Sequence, residues 1–162
     1  MPPSPLGKIE TTEENLPHHG PGGKHGDHRV LNDLSYVLCE SLRNPQEAEK
    51  LARKAVEMGV EDASLWDTWG VILYRLGRHE ESQKALEKSL ADPQILPGTR
   101  QSATFHLART LAPKDPARSR DLLERLLATP PDRRLMSAAD FAEAQALLGS
   151  PATSRPLSGP SR

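Results

Sequence analysis

Long apolar runs are missing from this chain. None reaches the run of about 18 residues that a membrane-spanning helix needs, and none sits near the N-terminus as a signal segment would, so neither is expected. Net charge is missing too. The 21 basic and 22 acidic residues leave a formal charge of −1, which gives no electrostatic reason to expect nucleic acid or a membrane surface as a partner. The single cysteine, Cys39, cannot close an internal disulfide and suits a reduced compartment, so the cytoplasm is the expected location. Aromatic residues make up only 4% of the 162 residues and the mean hydropathy is −0.60. The core is therefore thin, and one domain is the natural count. All six aromatics (Tyr36, Trp66, Trp69, Tyr74, Phe105 and Phe141) lie in one central region, which must hold that core.

What is present is helical periodicity. In the stretch from Trp66 to Gly77, apolar residues recur at Trp66, Trp69, Val71, Ile72, Leu73 and Leu76, the three-and-four spacing of an amphipathic helix. Gly70 in its middle costs about 1 kcal/mol relative to alanine, so another backbone is expected to come close there. Gly77 suits the left-handed residue that ends a helix. A second amphipathic stretch follows from His79 to Ala91, with Ser82, Leu86 and Ser89 on one stripe. Helix, tight turn and helix make one hairpin.

The hairpin repeats. The stripe Trp66, Trp69, Gly70, Leu73 recurs as Leu31, Leu34, Ser35, Leu38 and as Thr104, Leu107, Ala108, Leu111, at offsets of 35 and 38. The second-helix stripe recurs as Ala48, Ala52, Ala55 and as Ser119, Leu123, Leu126, at offsets of 34 and 37. Small residues face each other within each hairpin, Ser35 with Ala48, Gly70 with Ser82 and Ala108 with Ser119. Such pairs let two helices approach closely in a dense interior.

At these residues the chain resembles the tetratricopeptide repeat (TPR) family over about residues 29 to 128. Trp66, Trp69, Gly70 and Leu73 fall where that family's first helix carries Trp, Leu, Gly and an aromatic. Ser82 and Leu86 fall where the second helix carries Ala and a large apolar residue, and Pro93 closes the unit. Trp69, Leu73 and Ser82 depart from the pattern. The order of segments also resembles TPR segments at the C-terminus of bacterial serine/threonine kinases of planctomycete type, although no kinase signature occurs in this sequence. The resemblance implies an all-α superhelix of about three helix hairpins, at about 29–60, 62–95 and 99–130, with a capping helix at 137–149.

Taken in order, residues 1–27 hold five prolines and five glycines and read as a disordered leader. Helix one is expected from Arg29 to Leu42. Asn44-Pro45-Gln46-Glu47 is a strong helix start, and Gly59 stops helix two. Glu49 with Arg53 and Glu80 with Lys84 stand at the spacing of helical ion pairs. Helix five is expected over Thr99–Leu111 and helix six from Asp115-Pro116 to Ala128. A capping box at Ser137-Ala-Ala-Asp140 opens the last helix, which ends at Gly149. Residues 150–162, rich in Ser and Pro, read as tail.

The resemblance also implies a function. First helices of successive repeats line a groove that binds a protein or peptide partner. The corresponding positions here are Asn32, Tyr36 and Cys39 on helix one, Asp67, Val71, Tyr74 and Arg75 on helix three, and Phe105 and Arg109 on helix five. An acidic or carboxylate group of the partner is expected near Arg75 and Arg109. The carboxylate-clamp variety of the family is not reproduced, because Asp67 and Val71 replace its Lys and Asn. The same residues could instead pack a structural spacer within a larger protein.

No catalytic constellation and no cofactor are expected. His106 lies beside the Leu107–Ala108 stripe and reads as packed, and His79 opens helix four on the exposed side. Cys39 has no cation beside it in sequence to lower its pKa. Glu13–Glu14 and Glu80–Glu81 are adjacent pairs that cannot converge on one side of a helix. The one other chemical feature is His18, His19, His25 and His28, four imidazoles in eleven residues. They could hold a divalent metal and make a metal-responsive element. The plainer reading is a solvated linker.

Overall fold

The computed structural model describes residues 23–149, and over them the chain is all helical, with no strand. Seven α-helices follow in order: α1 (Gly23–Glu40), α2 (Pro45–Glu57), α3 (Ala63–Arg75), α4 (His79–Ala91), α5 (Pro97–Leu111), α6 (Pro116–Leu127) and α7 (Ala138–Leu148), with a short 3₁₀ turn at Pro131–Arg133. Residues 1–22 of the expected leader, and the expected tail, lie outside the described residues. No helix among them is long and apolar enough to cross a membrane.

Local chemistry sets most of the boundaries. Asn44, Asp115 and Ser137 each accept, through a side-chain oxygen, the amide of the third residue beyond, Glu47, Arg118 and Asp140. Proline occupies the first helical position in α2 and α6, where its missing N–H is no loss. Gly77 takes φ +77. Its amide and that of Arg78 return to the carbonyls of Tyr74 and Leu73, closing α3 with a Schellman motif.

Three hairpins, α1–α2, α3–α4 and α5–α6, stack in sequence, and α7 packs on both α5 and α6. The odd-numbered helices pack backbone against their odd-numbered neighbours, whereas α2, α4 and α6 do not, and α4 and α6 meet through the Arg118–Glu87 ion pair at 2.9 Å. The odd layer is thus the inside of a curve. The arrangement is an all-α, repeat-like superhelix. Its core is divided between hairpins: Cys39, Ala48, Ala52, Val71 and Ile72 form one cluster, Leu86, Leu107 and Leu111 a second, and Phe105, Ala108, Leu123, Leu126 and Ala144 a third. Ala144 is fully buried, so α7 covers the end of the stack.

The paired small residues also form hydrogen bonds. The hydroxyl of Ser82 donates to the carbonyl of Gly70 at 2.7 Å, and that of Ser119 donates to the carbonyl of Ala108, also at 2.7 Å. What comes close to Gly70 is not a second backbone, as expected, but the Leu86 side chain. The absent Cβ is filled by a leucine from the facing helix.

Three further expectations change. Helix α1 begins at Gly23, not Arg29, so residues 23–27 belong to the fold and not to a leader. Within this helix His28 is 2% exposed and places Nε2 3.2 Å from Asp62, the residue that caps α3. Helix α1 also ends at Glu40, two residues early, where Arg43 takes a left-handed φ of 53. Glu49 does pair with Arg53 at 2.8 Å, but Glu80 reaches Lys114 across the stack and not Lys84 on its own helix.

Candidate functional site

The inner face formed by α1, α3 and α5 carries the expected groove positions, and they fall into two sets. Val71 and Phe105 are 1% and 0% exposed and Cys39 is 1% exposed, so these three belong to the core and present no surface to a partner. The sequence placed them on the groove by repeat position, but Cys39 and Val71 pack in one core cluster across two hairpins and Phe105 packs with α6 and α7. Burial, reinforced by the charge of Glu40, pushes the Cys39 thiol up to about 11.

The other set remains on the inner face. Tyr36 is 39% exposed. Burial of its other side, with the charges of Asp140 and Glu40, raises its hydroxyl above the usual tyrosine value. Asn32 is buried, and its Oδ1 has no hydrogen-bond partner. It lines a cleft of about 520 Å³ shared with Arg29, Asp33, Asp62 and Asp92. Asp67 accepts a short contact from His106, whose Nδ1 lies 2.7 Å from Oδ1, and the pair ties α3 to α5. His106 is therefore packed, as read from the sequence.

The two arginines differ sharply. Arg75 is gripped by Glu40: its Nε and Nη2 donate to the two carboxylate oxygens at 2.7 Å each. Burial alone would raise the Glu40 carboxyl, but hydrogen bonds and charge from Arg75 outweigh it and hold it below the usual carboxylate value. Arg75 is raised in turn, by hydrogen bonding to Glu40 against the effect of burial. Such a bidentate pair leaves little guanidinium for a ligand. The expectation that Arg75 meets a partner's carboxylate is thus corrected: the chain supplies that carboxylate itself.

Arg109 is only 5% exposed, and its Nε and Nη2 have no hydrogen-bond partner. The guanidinium carbon lies 4.5 Å from the centroid of the Tyr74 ring and 5.3 Å from that of Phe105. Its nearest carboxylate is Glu143 of α7, at 3.6 Å from Nη1, an ion pair too long for a hydrogen bond. A buried guanidinium with donors unsatisfied costs free energy, and ring faces offset only part of that cost.

Sequence reasoning missed Glu40 and Glu143. The signal for the first was present: Glu40 and Arg75 are 35 residues apart, the repeat offset itself, so they occupy equivalent positions on adjacent inner helices. Of the four histidines considered as metal ligands, His18 and His19 lie outside the described residues. His28 turns to Asp62 and is buried in the fold, not in a solvated linker. Among the described residues, no group of three or more His, Cys, Asp or Glu is placed to hold a metal ion. Compared with known proteins, the chain matches no family model, no curated protein and no solved structure.

Proposed function

We propose that this chain is a protein-interaction module of TPR type, which binds an extended partner segment along the inner face of α1, α3 and α5. The observation that carries the reading is Arg109. Its guanidinium lies against Tyr74 and Phe105 with two buried donors unpartnered, and a carboxylate on the partner, either a side chain or a chain terminus, would satisfy them once the inner face opens to admit it. Arg75 takes no part in binding, since Glu40 neutralises it.

The test is selection from a displayed peptide library on the immobilised chain, with free and amidated C-termini compared. Peptides carrying an acidic group are expected to be enriched, and their binding is expected to fall about tenfold or more on Arg109→Gln and on Tyr74→Ala. Arg75→Gln is expected to matter less. Selected peptides that bind the folded Arg109→Gln protein as well as the wild type would refute the reading.

A further inference from the structure

Helix α7 covers the end of the stack, and it also brings an acidic edge to the inner face. Its Ala144 shares a core cluster with Phe105 and Ala108 of α5, the helix that carries Arg109. One residue earlier, Glu143 holds the only carboxylate in ion-pair contact with Arg109 among the described residues, at 3.6 Å from Nη1. Asp140 stands one turn before it on the same side of α7. Its charge reaches Tyr36 of α1, whose hydroxyl is raised by burial first and by Asp140 next. The contact with Glu143 is too long for a hydrogen bond, and Nε and Nη2 of Arg109 stay unpartnered beneath it. A covered guanidinium with idle donors is a costly resting state.

The hold of α7 on the stack is slight. Ala144 is its one buried residue, whereas α5 buries Phe105, Leu107 and Leu111 among others. Phe141, Leu147 and Leu148 are half-buried, and the Glu143 side chain is 47% exposed. An element with few buried apolar groups opens at lower cost than the whole fold, and an exposed ion pair adds little to hold it. The strap before α7 is fixed more firmly. Gln101 of α5 donates from Nε2 to the Arg133 carbonyl at 2.7 Å and accepts the Leu135 amide on Oε1 at 2.8 Å. Helix α7 can therefore swing away from Arg109 while its origin stays tethered.

We infer that α7 is a self-inhibitory lid, which closes over Arg109 and sets Glu143 in the place of the partner's carboxylate. The inference rests on the proposed binding reading and adds its regulation. A partner carboxylate that forms two hydrogen bonds to the guanidinium displaces a single long contact, so the exchange favours binding. A segment without a carboxylate makes no such gain and leaves the lid shut.

Modification of Arg109 by phenylglyoxal, followed by peptide mapping, tests the lid without any partner. Two variants of the full chain are compared with the wild type, each first shown by circular dichroism to be folded. Phe141→Ala removes a half-buried ring from α7, and Glu143→Gln removes the ion pair at an exposed side chain. Arg109 is expected to react about tenfold faster in Phe141→Ala and about threefold faster in Glu143→Gln, because opening of α7 limits the reaction. Acidic peptides from the displayed library are expected to bind both variants about threefold to tenfold more tightly than the wild type. Equal protection of Arg109 in all three proteins would overturn the lid, whatever peptides bind. Faster modification with no gain in peptide affinity would overturn the self-inhibition. Faster modification with no acidic peptide bound by any of the three would refute the binding reading, and the self-inhibition with it, but not the opening of α7.

Discussion

Leu86 stands so close to Gly70 that a Cβ on the glycine would lie 2.5 Å from its Cγ and 2.7 Å from its Cδ2. Leu86 is fully buried and cannot swing aside. Gly70→Ala gains about 1 kcal/mol in helix propensity but overpacks the hairpin by about 1–3 kcal/mol. A net loss of stability is expected in denaturant unfolding. Leu86→Ala, which alone costs about 2–5 kcal/mol, is expected to cost less in the Gly70→Ala background, because the new methyl occupies part of the cavity. Additive losses would show that the two positions do not compete for one space.

The Glu40–Arg75 pair predicts an acid limb in the stability profile. Glu40 is held below the usual carboxylate value in the fold. Its contribution is therefore complete above the unfolded value of about 4.3 and is lost as pH falls through the lower folded value. Asp62 acts in the same direction: burial opposes the shift, but hydrogen bonds from Ser64 and His28 lower it. The thermal midpoint is expected to hold level down to about pH 5 and then fall. Glu40→Gln is expected to cost about 1 kcal/mol of stability at neutral pH and to flatten part of the acid limb. A limb of unchanged slope would assign the acid sensitivity elsewhere.

Asp67 and His106 form a buried contact between two hairpins. Asp67→Ala leaves the His106 ring without its partner and is expected to cost about 1–3 kcal/mol. A double-mutant cycle with His106→Ala is expected to return a coupling of about 1 kcal/mol. Coupling near zero would mean that the contact contributes packing alone.

Cys39 should be inert in the folded chain. It is 1% exposed and its thiol is pushed up to about 11, while only the thiolate attacks disulfide reagents. Labelling at pH 8 is expected to be on the order of a hundredfold or more slower in the native protein than in denaturant. A fast native phase would mean that α1 opens from the stack.

How far these features were legible in the sequence depended on how local their causes were. Asn44–Glu47, Asp115–Pro116 and Gly77 act within a few residues, and the helix ends they set were read correctly. The repeat stripe located the core, because Ala48, Gly70, Ala108 and Ser119 are small for the same geometric reason. Interactions between repeats were harder. The burial of His28 goes with its contact to Asp62, 34 residues on, and the fate of Arg75 depends on Glu40, 35 residues back. Helical spacing exposes pairs such as Glu49–Arg53, whereas Glu40–Arg75 and Glu80–Lys114 stand one repeat apart. Burial of Val71 and Phe105 could not be read at all, because repeat position gives the direction of a side chain and not the distance of the next hairpin.

The backbones of the outer helices α2, α4 and α6 do not pack on one another, and α4 meets α6 through an exposed ion pair, Glu87 with Arg118, so each hairpin is joined to the next mainly through its inner helix. Such a stack bends as a leaf spring bends. Rocking one hairpin on its neighbour alters the spacing between outer helices, where exposed ion pairs such as Arg118–Glu87 have to give, and changes the curvature of the inner face at small cost. The width offered to a bound segment then varies along the stack, and the Asp67–His106 clasp limits that variation between α3 and α5.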